Sequence, residues 1–293
     1  MNDIENKSRL PMYYVYGMIT IVIWSSTFAF SKVCLEAFSA PVLSMYRFIF
    51  AGLFMLVFAI VKKIGMPAKE DIPIFILSAV IGFSLYQLVF NKGIDMLTSA
   101  TACIIIATTP VITAVFARIL FKEKIRVGGW IGMMICFAGI LVLMLWNGVF
   151  SINGGIFWML GAAGMLAGYT LLQRKLTRRY TALQATAYSI IIGAVMLLFV
   201  MPFGGIEQAA HASLKVWLCT AYLGFIGSSV SYLCWSKALA LTDQTAKVSN
   251  LQFIQPILAM FWGFLLVAEV PTMDMYLGLV IVVIGLTVFN KTK

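Results

Sequence analysis

The stretch ATACIIIATTPVITAVFARILFKEKIRVGGWIGMMICFAGILVL, Ala100–Leu143, comes back 146 residues later as AKVSNLQFIQPILAMFWGFLLVAEVPTMDMYLGLVIVVIGLTVF, Ala246–Phe289. Few of the apolar residues match, but the punctuation does. Ala100 falls on Ala246, Pro110 on Pro256, Glu123 on Glu269, Gly132 on Gly278 and Gly139 on Gly285. Further upstream the offset is 142, which lays Gly82-Phe83 on Gly224-Phe225 and Tyr46 on Tyr188. A few inserted residues account for the change of offset. Self-similarity over this distance predicts a doubled unit, with one half in residues 1–147 and the other in 148–293.

Each half is too apolar for water. Of the 293 residues, 62% are hydrophobic and only 11% charged, with a mean hydropathy of +0.98. Soluble domains are nearer half apolar and a quarter charged, so a water-soluble globule and a disordered chain are both excluded. Apolar runs fall at 12–31, 41–61, 72–91, 99–121, 128–146, 153–173, 181–202, 214–234, 245–267 and 274–290. Each is close to the ~20 residues that cross a bilayer as a helix. A helix satisfies its backbone donors and acceptors within one segment, which lipid demands. The runs do not alternate as barrel strands would. The expectation is an all-α integral membrane protein of ten transmembrane helices, five in each half.

The basic residues orient these helices. The formal net charge is +10, and the 21 Lys and Arg sit mainly in the links between runs. With the N-terminus inside, 17 fall on the cytoplasmic side, Lys32, Lys92 and Lys215 fall outside, and Arg47 lies within the second run. This asymmetry predicts both termini in the cytoplasm, an even helix count and a place in the cytoplasmic (inner) membrane. The same distribution excludes nucleic acid as a partner and leaves the lipid bilayer and a small molecule. The five cysteines, Cys34, Cys103, Cys136, Cys219 and Cys234, follow no disulfide or metal-site spacing and are expected as small apolar residues. The polar start, MNDIENKSRLP, has no cleavable-signal pattern.

Five is odd, so the second half is expected to thread the membrane in the opposite sense to the first. Two similar halves of opposite orientation can rock about a midplane site, making outward-open and inward-open states near mirror images.

Taken together the pattern resembles the drug/metabolite transporter superfamily, in its ten-helix EamA-type branch. The first half carries the resemblance in Trp24-Ser25-Ser26, Arg47 and Ala100…Pro110…Phe121-Lys122-Glu123 with Gly132…Gly139. The second half carries it in Tyr169…Arg174, Tyr232…Trp235-Ser236-Lys237-Ala238-Leu239 and Ala246…Pro256…Glu269 with Gly278…Gly285. The resemblance covers nearly the whole chain. It implies two five-helix bundles around a central cavity, with helices 1, 3, 4, 6, 8 and 9 lining it and helices 5 and 10 peripheral. It also implies export or exchange of small metabolites, often amino acids. Lys247, where the repeat partner is Thr101, departs from the pattern.

Candidate lining residues follow from polarity at membrane depth. Buried amides need partners, and aromatic walls with a few polar groups suit a small amphipathic ligand. Helix 1 offers Trp24, Thr27 and Phe28, and helix 3 offers Tyr86, Gln87 and Phe90. Helix 6 offers Tyr169, helix 8 Tyr232 and Trp235, and helix 9 Asn250 and Gln255. Lys247, a turn into helix 9, is either an anion contact or a snorkelling lysine. Arg47 either meets a carboxylate or phosphate or reaches the outer interface as a structural residue. Pro110 and Pro256 read as paired hinges or as fixed helix curvature. Glu123, within Lys122-Glu123-Lys124, reads as a local salt bridge.

All eleven Asp and Glu fall in tails, loops or helix ends, and the single histidine, His211, sits in an outer loop. A buried proton relay is therefore not expected, and facilitated diffusion or exchange is. No catalytic group, metal site or cofactor is expected. A channel would need a repeated filter and ATP hydrolysis a GxxxxGK[ST] loop, and neither appears. The expected function is a secondary carrier of a small metabolite, an amino acid or a related amphipathic compound. A multidrug or organic-cation exporter is the alternative, and an integral-membrane enzyme a remote one. Small-residue runs such as Gly161-Ala162-Ala163-Gly164 and Gly128…Gly132 are expected at close helix crossings, in a monomer or weak homodimer.

Overall fold

The computed structural model describes residues 11–121, 126–145, 154–199, 204–242 and 245–291, and among these there is no strand. Among the described residues we distinguish ten helical segments. They are α1 (Met12–Leu35), α2 (Ala40–Val61), α3 (Lys69–Met96) and α4 (Ser99–Ile106, resumed at Thr109–Phe121), then α5 (Val127–Leu145) and α6 (Gly154–Leu176). After these come α7 (Ala182–Phe199), α8 (Leu214–Ala240), α9 (245–267) and α10 (Met273–Lys291). A short helix, Gly205–His211, precedes α8. Seven of them, α1 to α4 and α6 to α8, are long and apolar enough to cross a bilayer. Shorter apolar stretches, Val127–Gly139, Leu251–Val267 and Met275–Phe289, lie in α5, α9 and α10.

The third and eighth apolar runs extend past their expected ends, to Met96 and Ala240. Lys32 Nζ donates to the Asp95 carbonyl at 3.4 Å, and Lys237 Nζ stands 5.2 Å over the Tyr16 ring.

Both prolines sit where a helix restarts. In α4 the helix breaks at Ala107-Thr108, and Pro110 is the second residue of the resumed piece. In α9 a 3₁₀ stretch, Asn250–Ile254, gives way to Gln255–Val267, and Pro256 again takes the first turn. A missing N–H costs nothing there, because first-turn donors have no intrahelical acceptor. The apolar runs 99–121 and 245–267 predict continuous helices around these prolines; the irregularity instead lies just upstream of each.

A second pair of irregularities lies in α3 and α8, at the π-helical turns Val80–Ser84 and Leu223–Val230. Each has a serine five residues beyond a carbonyl that it bonds: Ser84 Oγ to Ala79 O and Ser229 Oγ to Gly224 O, both at 3.2 Å. Each also has a glycine against a neighbour. A Cβ on Gly82 would sit 2.1 Å from the Tyr169 ring, and one on Gly224 would sit 2.7 Å from the Arg47 carbonyl.

In lipid there is little hydrophobic drive between helices, so close backbone approach carries the packing. α5 and α10 show it most clearly. An added Cβ on Gly132 would meet Gly285 O at 2.6 Å, and one on Gly139 would meet Gly278 O at 3.0 Å. Cys136 Sγ donates to Val282 O at 3.7 Å. The contacts pair rising numbers in α5 with falling numbers in α10, so the two helices run antiparallel. α2 and α7 meet the same way: a Cβ on Gly52 would touch Ala194 at 2.7 Å, while Tyr46 bonds Gly205 O and Tyr188 bonds Gly65 O. Tight crossings are also found where α3 meets α6, at Gly93 and Gly168, but Gly164 has nothing within 4 Å of an added Cβ.

Candidate functional site

A cavity with polar walls lies in the buried interior. It is lined by Trp24, Thr27 and Phe28 of α1, Arg47 of α2, Tyr86, Gln87 and Phe90 of α3, Ile106 of α4, Leu166 of α6, Tyr232 of α8 and Gln255 of α9. The room inside is about 10 Å³, roughly one water. The walls are thus drawn together in this conformation.

Local structure fixes most of the walls. Trp24 Nε1 donates to Ser231 Oγ at 2.9 Å, and Ser231 Oγ in turn donates to Gly227 O, tying α1 to the end of the α8 π-turn. The Trp24 ring lies 4.9 Å from Tyr232 and 5.0 Å from Trp235. Phe28 meets Phe90 edge-on at 5.2 Å, and Phe90 is stacked with Tyr86. Gln87 is oriented by a relay across two helices. Its Nε2 donates to Asn91 Oδ1, Asn91 Nδ2 donates to Ser44 Oγ, and Ser44 Oγ donates to Ala40 O. Every group in that chain is buried, so each bond removed would strand a partner.

Arg47 is the cavity's one charged lining residue. It is 3% exposed and turns inward, so the outward reach to the interface is not the conformation it adopts. Its Nε donates to Ser228 Oγ at 2.8 Å, inside the π-turn of α8. Gly227 instead makes room for Thr27: a Cβ there would stand 2.9 Å from Thr27 Cγ2, but at an ordinary contact distance of 3.7 Å from Arg47 Nη2. Nη1 is buried without a partner. Gln255 Oε1 is likewise buried and unpartnered.

Nine of the residues singled out from sequence therefore share one cavity: Trp24, Thr27, Phe28, Arg47, Tyr86, Gln87, Phe90, Tyr232 and Gln255. Tyr169 and Trp235 do not reach it. Both are fully buried behind its wall, Tyr169 against Phe83 and Tyr232, Trp235 against Trp24. The side chains of Lys247 and Asn250, and Glu123 altogether, lie outside the described residues. Ile106 and Leu166 were not anticipated, being two apolar residues in apolar runs. For Leu166 a signal existed: it is 142 residues beyond Trp24, the same offset that relates Gly82 to Gly224. Among the described residues no three His, Cys, Asp or Glu side chains gather as metal ligands, and all five cysteines are free.

The model of the EamA-like transporter family matches residues 11–145 and again 153–291. The "Uncharacterized transporter YdfC" of Bacillus subtilis (strain 168) is 26% identical over 268 residues, 91% of this chain and 87% of that one. The "Probable terminal-alkyne amino-acid exporter" of Streptantibioticus cattleyicolor is 25% identical over 274 residues, covering 94% and 92%. A solved crystal structure superposes with a TM-score of 0.68 at 16% identity, covering 95% of this chain and 98% of the other, a likeness of fold.

Proposed function

The chain belongs to the EamA-like transporter family, and from that membership we propose that it is a secondary carrier working by alternating access on a small metabolite, an amino acid or a related amphipathic compound. It is a membrane transporter and not an enzyme. The observation that carries the finer reading is the cavity. It draws its walls from α1 to α4 and from α6, α8 and α9, so two halves of the chain close on one site.

The reading includes ten crossings in two inverted five-helix units, 1–147 and 148–293, with both termini in the cytoplasm. Several contacts support it. Residues 136 and 282, and 52 and 194, are related by the sequence offsets and touch each other, as residues on a two-fold axis would. The pairs Gly132–Gly285 and Gly139–Gly278 exchange under the same operation. The antiparallel course of α5 and α10 suits units inserted in opposite senses. The family model's double match also favours a duplicated chain.

Among the described lining residues there is no carboxylate and no histidine, which favours exchange or facilitated movement over proton coupling. Export of organic cations is the second reading, favoured by the Trp24, Tyr86 and Tyr232 rings, since aromatic faces attract cations. Proteoliposomes loaded with an amino-acid mixture decide between them. The expected result is loss of particular amino acids, faster than from protein-free vesicles and insensitive to a protonophore. Strict dependence on a pH gradient, or efflux confined to organic cations, would count against the carrier as described.

A further inference from the structure

We infer that Arg47 is the anchor for a carboxylate on the transported molecule, an assignment that rests on the carrier reading and narrows its substrate class. A buried cation is costly unless something neutralises it. Arg47 is 3% exposed, and its one protein hydrogen bond, Nε to Ser228 Oγ, goes to a neutral hydroxyl. Among the described residues the ion pairs are those of Arg179 with Glu70 and Asp71, well away from this side chain in the sequence and in the fold. No acid among the described residues lines the cavity. Among the described residues the guanidinium thus has no counter-charge, and its Nη1 donor is unpartnered, at the wall of a cavity whose other walls include Trp24, Phe28, Tyr86, Phe90 and Tyr232.

Such a site selects by charge. In a low-dielectric interior the field of one arginine is felt strongly at contact distance, so a cationic head group is repelled and an anionic one is held. One unit charge, with no second cation among the described lining residues, balances one carboxylate, whereas a phosphate dianion would bring an uncompensated negative charge. The Nε bond to Ser228 holds the fork against α8, and the aromatic walls are left for the apolar part of the ligand. A carboxylate at Nη1 thus bridges α2 of one half to the α8 turn of the other.

Matched pairs test this without knowledge of the natural substrate. The probes are 3-phenylpropanoate with 3-phenylpropanamide, and L-phenylalanine with L-phenylalaninamide, with phenyl phosphate as a third kind of head group. Thermal shift of the purified full-length protein and efflux from proteoliposomes are both read. The expected result is that each acid binds about tenfold or more tighter than its amide, the scale of a hydrogen bond to a charged group. In R47Q the preference collapses to within about twofold, and in R47K part of it returns. Because the wild-type comparison carries the argument, a variant that does not fold leaves it standing. Equal binding of acids and amides, tighter binding of phenyl phosphate, an undiminished preference in R47Q, or no response to any probe would each overturn the assignment. The carrier reading is judged separately, by efflux of the amino-acid mixture, and survives any of these results if that efflux is protein-dependent.

Discussion

At the scale of single residues, the sequence separates what a side chain is from where it points. Arg47 is legible as a charge inside an apolar run, but the partner that holds its inward turn, Ser228, lies 181 positions away. Gln87 and Asn91 are legible as an i, i+4 pair on α3, while the Ser44 that completes their relay is not. Glu269 shows the same gap. Sequence gives it as the repeat mate of Glu123 and a helix-end acid. In the fold its carboxylate reaches across to α4, where both oxygens accept from Ser99 N, at 3.0 and 2.9 Å, and Oε1 also accepts from Ser99 Oγ. Glu269 thus satisfies an orphan donor at a helix N-terminus and places negative charge at its positive pole. The loss of such a cap costs about 1 kcal/mol. E269A is expected to lower the melting temperature of the detergent-solubilised protein by about 2–4 °C, and E269Q by less, since an amide oxygen still accepts. An unchanged melting temperature in E269A would show that Ser99 N is satisfied without it.

At the scale of elements, helix positions are the most legible feature and helix irregularities the least. Hydrophobicity alone places the segments, because a bilayer sets their length. The π-turns in α3 and α8 and the breaks ahead of Pro110 and Pro256 have no such rule. They follow from which carbonyls find a serine and which glycine faces a ring. Small residues are likewise ambiguous in sequence. Gly161, Gly164 and Gly168 read as one crossing face, yet Gly164 has open space where a Cβ would go, and Gly285 has none. On Gly285 a Cβ would lie 2.7 Å from Cys136 N, Cys136 Sγ and Gly132 O, two of them backbone atoms that cannot turn aside. G285A must therefore separate α5 from α10, at a cost of about 1–3 kcal/mol, while G164A should remain within about 1 kcal/mol of the parent protein. Parallel denaturation of the two variants checks this; equal stability would mean that the α5–α10 contact is looser than the distances imply.

At the scale of the whole molecule, the doubled punctuation is what the proposed inverted architecture rests on, because a repeat constrains topology even where individual side chains have diverged. It did not reveal which contacts hold the two halves together in this conformation. On one face the link after α2 is clasped to the α6–α7 link. Arg179 donates to Asp71 and Glu70, Tyr180 donates to Asp71, and Gln184 Nε2 and the Tyr188 hydroxyl donate to Gly65 O, at 3.1 and 3.2 Å. Arg179 and Glu70 are solvent-exposed and Asp71 is half-buried, so the ion pairs contribute little and the clasp can part readily. The hydrogen bond to Asp71 raises the Tyr180 phenol above the ordinary tyrosine range. A raised value means the contribution is complete below about pH 10 and lost only on further alkalinisation, so the clasp is intact at neutral pH. If the proposed rocking motion opens the cavity on this face, the clasp must separate in every cycle. A G65C/Q184C protein bridged by a short flexible thiol cross-linker tests that directly. Among the native cysteines Cys34, Cys103, Cys136 and Cys219 are buried and Cys234 is half-buried, so the introduced pair is the exposed target. The bridged protein is expected to keep a ligand-dependent rise in melting temperature while its proteoliposome efflux falls at least about tenfold, and reduction of a cleavable linker should restore transport. Full transport with the bridge in place would show that this face stays closed throughout the cycle and that the moving parts lie elsewhere.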